Sequence, residues 1–183
     1  MDFDRVRLMA RRPALRARGE WRDETLLDHL AQAVASAPDK TALVAFRTDG
    51  ATVATRLTYR ELDARADRVA RNLAARGVGA GDTVSFQLPN WWEFSVLHLA
   101  CLKLGAVSNP LMVIFRAREL GFMLKLAQTK VLVVPARFRG FDHAQMAQGL
   151  RAALPDLRHV ITVGGEAPGA EPFEALLAQA SAT

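Results

Sequence analysis

The chain has 183 residues, half of them hydrophobic and 23% charged, with 12 glycines and 8 prolines; these proportions exclude disordered, collagenous and low-complexity classes and suit one ordinary domain with a real core. The formal charge of +5 is not spread as a nucleic-acid surface requires: residues 1–22 hold seven arginines against three acids, a net +4, and residues 23–183 hold 17 basic and 16 acidic side chains, a net +1. The body has no basic stripe interleaved with aromatics, so no nucleic-acid partner is expected.

Residues 1–22 show no clean periodicity, are interrupted by Pro13 and Gly19, and read as a basic arm preceding an α/β unit over 23–183. They contain no apolar core of a secretory signal, and Asp2 and Asp4 argue against a transit peptide. From Thr25, Leu26, Leu27, Leu30, Ala33 and Val34 recur at helical spacing until Pro38. Ala42 to Phe46 and Val53 to Leu57, joined through Asp49-Gly50, read as a hairpin, because Asp-Gly takes the positive φ angles of tight turns.

Thr58 and Glu61 form a capping box, flanked by Leu57 and Leu62 as a hydrophobic staple. The helix they open carries Leu62, Ala66, Val69, Ala70, Leu73 and Ala74 on one face, sets Asp63 and Asp67 toward water, and ends at Gly77. Thr83 to Gln87 is a strand, and Pro89-Asn90 the turn after it. Trp91 to Leu104 is a helix apolar on nearly every side, as in one clamped between a sheet and another element. Gly105 closes it, and the stretch onward through Asn109-Pro110 reads as a loop. The apolar run Phe94 to Phe115 is broken by His98, Lys103, Gly105 and Asn109-Pro110, so no integral membrane segment is expected.

A helix around Glu119 to Gln128 leads to the continuous β-branched run Val131 to Val134, typical of buried parallel strands. A helix from Asp142 to Leu154 and a strand from His159 to Val163 follow. Alternating strands and helices predict a layered α/β fold with a mainly parallel sheet and flanking helices.

Few of the residues with reactive side chains form a recognisable site. Cys101 is single and sits in an apolar helix, as a small buried hydrophobe; with no internal disulfide possible, a reducing, cytoplasmic location is expected. His29, His98, His143 and His159 lack metal-ligand spacing, and no serine stands in a nucleophile elbow. The Gly77–Gly81 cluster lies between a helix and a strand, the reverse of a phosphate-binding order, and Gly164-Gly165 is not followed by Lys and Ser or Thr. Arg137-Phe138-Arg139-Gly140 differs, because it leaves the carboxyl end of a buried strand, where open α/β folds bind ligands. Two arginines flanking an aromatic suit a phosphate beside a stacked base.

Leu57-Thr58-Tyr59-Arg60-Glu61-Leu62 resembles the first core motif of the adenylate-forming superfamily of acyl-CoA synthetases, luciferases and peptide-synthetase adenylation domains. Leu102-Lys103-Leu104-Gly105-Ala106-Val107, running into Ser108-Asn109-Pro110-Leu111, resembles its second, and Gly81-Asp82-Thr83-Val84 with Leu88-Pro89-Asn90 resemble the strand and turn between. The similarity spans about Thr25 to Ala178. Asn109-Pro110-Leu111-Met112, Phe115-Arg116-Ala117-Arg118-Glu119-Leu120 and Arg137 to Asp142 look closest to aliphatic and alicyclic carboxylate-CoA ligases, such as cyclohexanecarboxylate-CoA ligases.

The resemblance implies a two-step reaction of a carboxylic acid with ATP and then CoA, aided by Mg²⁺. The family's Ser/Thr/Gly-rich phosphate loop and catalytic lysine have no counterpart in these 183 residues. The expectation is therefore an N-terminal subdomain truncated before the phosphate loop, inactive alone, binding none of these cofactors tightly, and partnered by the remainder of the ligase chain. No catalytic or metal-binding residue is assigned. By similarity with acetyl-CoA synthetases, Arg137 and Arg139 are candidate contacts to the CoA nucleotide. Two other classes compete: a standalone α/β binding or interaction module, and an adaptor acting through the basic arm. A homodimer of the piece is possible through an apolar face that a longer chain would cover.

Overall fold

The computed structural model describes residues 5–47 and 54–178. The N-terminal stretch without clean periodicity contains a helix, α1 (Arg5–Ala17), with Pro13 inside it; its arginines, alanines and leucines are good helix formers. Arg12 and Arg16 pair with Asp23, and the Arg12 guanidinium lies 5.6 Å from the Trp21 ring centre, so the end of α1 is tied to the segment after it.

After α2 (Leu26–Ser36), the expected hairpin is present as antiparallel β1 (Thr41–Ala45) and β2 (Thr55–Thr58), with Leu43 opposite Leu57. Its Asp49-Gly50 turn lies outside the described residues. Thr58 then caps α3 (Tyr59–Ala75) as its sequence predicts: the Glu61 N–H donates to Thr58 Oγ1 at 3.2 Å, and the Thr58 N–H donates to the Glu61 carboxylate at 2.8 Å. Asp63 and Asp67 differ from expectation. They converge on Lys103 of the neighbouring helix, with Nζ 2.7 Å and 2.6 Å from their carboxylates.

The remaining elements are β3 (Thr83–Phe86), α4 (Trp92–Leu104), β4 (Val107–Pro110), α5 (Ala117–Leu126) and β5 (Thr129–Pro135), then the short β6 (Arg137–Phe138) and β7 (Phe141–Asp142). They are followed by α6 (His143–Leu150), a 3₁₀ turn at Arg151–Ala153, β8 (His159–Val163), β9 (Glu171–Pro172) and α7 (Glu174–Leu177). The stretch read as a loop through Asn109-Pro110 is in fact strand β4. It is an edge strand, and Pro110 is tolerated there because its nitrogen faces away from β3, whose Phe86 carbonyl accepts from the N–H of the next residue, Leu111.

Five strands form one sheet in the order β4-β3-β5-β8-β9, and every pairing within it is parallel. The expected layered α/β architecture is the one observed. Val84, Phe86, Val131, Val133, Ile161 and Val163 face a core completed by α3 and α4. Leu132, Val134 and Val160 face the opposite core, completed by α5 and α6. Burial on both faces is why the central strand has no polar alternation to read. A polar ladder crosses the middle of the sheet: Asn109 Nδ2 donates to Ser85 Oγ at 2.9 Å, and Ser85 Oγ lies 2.7 Å from Thr129 Oγ1.

Candidate functional site

The sheet order creates a crevice. From β3 the chain passes through α4 on one face to β4, and from β4 it passes through α5 on the other face to β5, on the far side of β3. The loops leaving β3 and β4 therefore diverge. In parallel sheets such a switch point, outside the carboxyl ends of the strands, is where ligands bind. Here it holds a cavity of about 480 Å³. Leu88, Pro89 and Asn90 contribute from the loop after β3, Leu111 to Ile114 from the loop after β4, and Phe138 and Arg139 from the hairpin after β5. The walls are largely apolar, with one cation at the rim, which suits a ligand joining an apolar body to an anionic group.

The two sequence-identified arginines do not act as one clamp. Arg139 and Gly140 adopt φ of 49° and 77°, a tight two-residue turn between β6 and β7. Arg139 lines the switch-point cavity, and its guanidinium lies 5.3 Å from the Phe138 ring centre. Arg137 is turned to a second cavity of about 540 Å³, beside Asp142, Gln148 and Glu166, with Nε 3.4 Å from the Asp142 carboxylate. Phe138 is edge-on to Trp91, with ring centres 5.8 Å apart, which anchors the hairpin on the core.

Buried polar groups around the crevice escaped the sequence reading. Gln87, fully buried just after β3, donates from Nε2 to the carbonyls of Met112 at 2.8 Å and Phe115 at 3.0 Å. Its Oε1 lies 3.1 Å from Nδ1 of His143, which is 1% exposed. Burial, with help from the Arg116 charge and against Asp142, pushes this imidazole down to about 4. At the start of α4, Glu93 is 3% exposed and pairs with Arg47 at 2.6 Å, while that guanidinium lies 4.2 Å over Trp91. Burial raises the Glu93 pKa, and Arg47 only partly offsets this. Gly164, after β8, makes room for the same arginine: a Cβ there would lie 3.0 Å from Arg47 Nη1. One signal in the sequence was a lone carboxylate in an otherwise apolar helix, which demands a buried partner.

The other candidates are structural. His98 Nδ1 lies 2.8 Å from Ser108 Oγ, and His159 Nδ1 lies 3.0 Å from the Glu171 carboxylate, which Arg76 also holds. Cys101 is buried. Among the described residues no three His, Cys, Asp or Glu side chains group as for a metal ion, and no helix is long and apolar enough to cross a membrane.

Comparison with known proteins agrees with this architecture. The medium-chain fatty-acid–CoA ligase of Escherichia coli K12 is 39% identical over 158 residues, covering 86% of this chain and 27% of that protein. A salicyl-AMP ligase / salicyl-S-ArCP synthetase of Mycobacterium tuberculosis is 40% identical over 158 residues, covering 86% and 28%. The apo structure of MbtA from Mycobacterium smegmatis superposes with a TM-score of 0.76 at 32% identity, covering 95% of this chain and 32% of that one. The chain thus spans roughly a quarter of the length of these curated relatives. Residues 30–182 match the family model described as AMP-binding enzyme, and the chain belongs to that family of adenylate-forming ligases.

Proposed function

We propose that this chain is the N-terminal part of an ATP-dependent, AMP-forming carboxylate-CoA ligase. In that reaction a carboxylate attacks the α-phosphate of ATP, pyrophosphate leaves, and the thiol of CoA displaces AMP to give the acyl-CoA. The observation that carries the reading is the coincidence of the family match over 30–182 with an apolar, arginine-rimmed crevice at the switch point of the sheet. The motifs around Asn109-Pro110 and Arg137 to Asp142 support an aliphatic or alicyclic acid, of the cyclohexanecarboxylate kind, as substrate.

Arg139 is the residue of this chain assigned to CoA, its guanidinium pairing a nucleotide phosphate at the rim while apolar walls meet the uncharged arm. Arg137 assists from the neighbouring cavity. ATP and Mg²⁺ serve the whole enzyme. The described residues offer no grouped ligands for the metal, so none of its coordination is assigned to them. The 183 residues alone do not adenylate, and the remainder of the ligase supplies the phosphate-binding and catalytic groups, in the cytoplasm.

The first test is the intact mass of the protein as its source cell makes it, followed by ATP- and acid-dependent acyl-CoA formation. A mass near 20 kDa and no such activity favour the standalone module instead. In the active enzyme, Arg139→Ala raises the KM for CoA about tenfold, the loss of one charge-assisted contact. Unchanged CoA kinetics in Arg137→Ala, Arg139→Ala and the double variant refute the assignment.

A further inference from the structure

Gln87 is fully buried immediately before Leu88, which lines the switch-point crevice, and its carboxamide is engaged in three directions. Because Nε2 serves the Met112 and Phe115 carbonyls, Oε1 is left as an acceptor, and His143 Nδ1 is the nitrogen that carries the proton. The imidazole is neutral at physiological pH, its burial holding it down to about 4. Each contact reaches a different wall. Met112 lines the apolar wall, and Phe115 closes the same loop. His143 opens α6 directly after β7, and the next residue, Ala144, donates its N–H to Ala136 O at 3.3 Å, across the base of the hairpin that carries Arg139. The Phe141 ring stands edge-on to His143 at 4.9 Å and lies under the Arg116 guanidinium at 4.0 Å, so loop and hairpin also meet above this centre.

We propose that Gln87 is a positioning residue that holds the apolar wall and the Arg139 hairpin in register, and so sets the affinity of the crevice for an anionic ligand with an apolar body. The identification of that ligand with CoA rests on the ligase reading above; the coupling of the two walls does not. Glutamine is suited to the position because both an N–H pair and an acceptor are required of one buried side chain. Methionine matches its length and supplies neither. Glutamate would aim an anionic oxygen at two carbonyl oxygens, at a site without exposed surface.

The test uses the full-length enzyme carrying Gln87→Met or Gln87→Glu. In Gln87→Met, hydrogen–deuterium exchange is expected to quicken in residues 111–116 and 137–143 together, by about tenfold, with β5 and β8 unchanged. The KM for CoA is expected to rise about tenfold with kcat within about threefold of the parent. Gln87→Glu should match this loss near about pH 8 and recover, relative to the parent enzyme, toward about pH 5.5, because a buried carboxyl has a raised pKa and once protonated can donate to one of the carbonyls. The ionisable group in contact with this side chain is His143, on which the charges of Arg116 from the loop and Asp142 at the cap of α6 act in turn. Exchange that quickens in one wall only, or in neither, overturns the coupling. Exchange that quickens in both with an unchanged KM for CoA overturns its link to affinity, as does loss of kcat and KM together with no recovery in acid. A parent enzyme lacking acid-dependent ATP–pyrophosphate exchange defeats the ligase reading, and the paired exchange response still decides the role of Gln87.

Discussion

Cys101 shows how burial decides the chemistry of a single residue. Desolvation within α4 pushes its thiol up to about 12, so the reactive thiolate is scarce at any physiological pH. A thiol reagent near about pH 8 should leave the native protein unlabelled and take up one equivalent after guanidinium unfolding; rapid native labelling would contradict the burial. That behaviour was legible in the sequence, because a cysteine inside an apolar helical run has no partner to activate it. Gln87, His143 and Glu93 were not legible in the same way. Their roles depend on partners 25 to 56 residues away in the chain, and no local pattern encodes such distances.

Among the elements, α3 and α4 are joined by a polar contact as well as by their apolar faces. Burial alone would lower the pKa of Lys103, but Asp63 and Asp67 together outweigh it and raise it. The resulting stabilisation is fully present below the ordinary lysine value of about 10.4 and fades as pH climbs through the higher folded value. Lys103→Met should therefore cost about 1 kcal/mol in urea unfolding near about pH 7, and the gap should narrow near about pH 11. Equal stability of the two proteins at neutral pH would show the contact to be idle. The carboxylates themselves were visible as an i, i+4 pair on one face of α3. Their partner was not, because only the packing of α4 on α3 turns that face from solvent to interface. By contrast the capping box at Thr58 and the stop at Gly105, where φ is 66°, follow from local chemistry and lie where the sequence puts them.

At the scale of the whole molecule, one apolar patch among the described residues lies on the β4 and α5 side, apart from the exposed Leu26 and Phe46 elsewhere. Phe122 and Leu126, one turn apart on α5, are 69% and 74% exposed, and Met112 and Ile114 beside the crevice are 60% and 64% exposed. Among the described residues no strand pairs with the outer side of β4. A chain of these 183 residues should self-associate as its concentration rises, and Phe122→Glu with Leu126→Glu should reduce this in sedimentation velocity. A monomer at every accessible concentration would show that this face needs no cover.

The sequence by itself determined the alternation of helices and strands, the buried parallel strand at Val131 to Val134, the helix caps and the family motifs. All of these arise from periodicity or from contacts within a few residues. Tertiary structure alone decided that Asn109-Pro110 ends an edge strand, that β3 lies between β4 and β5 and so opens a crevice, and that Arg137 and Arg139 face different cavities. The physical reason is that strand order is set by long-range packing, and two arginines separated by one residue are sent to different cavities where the chain turns through a pair of positive φ angles.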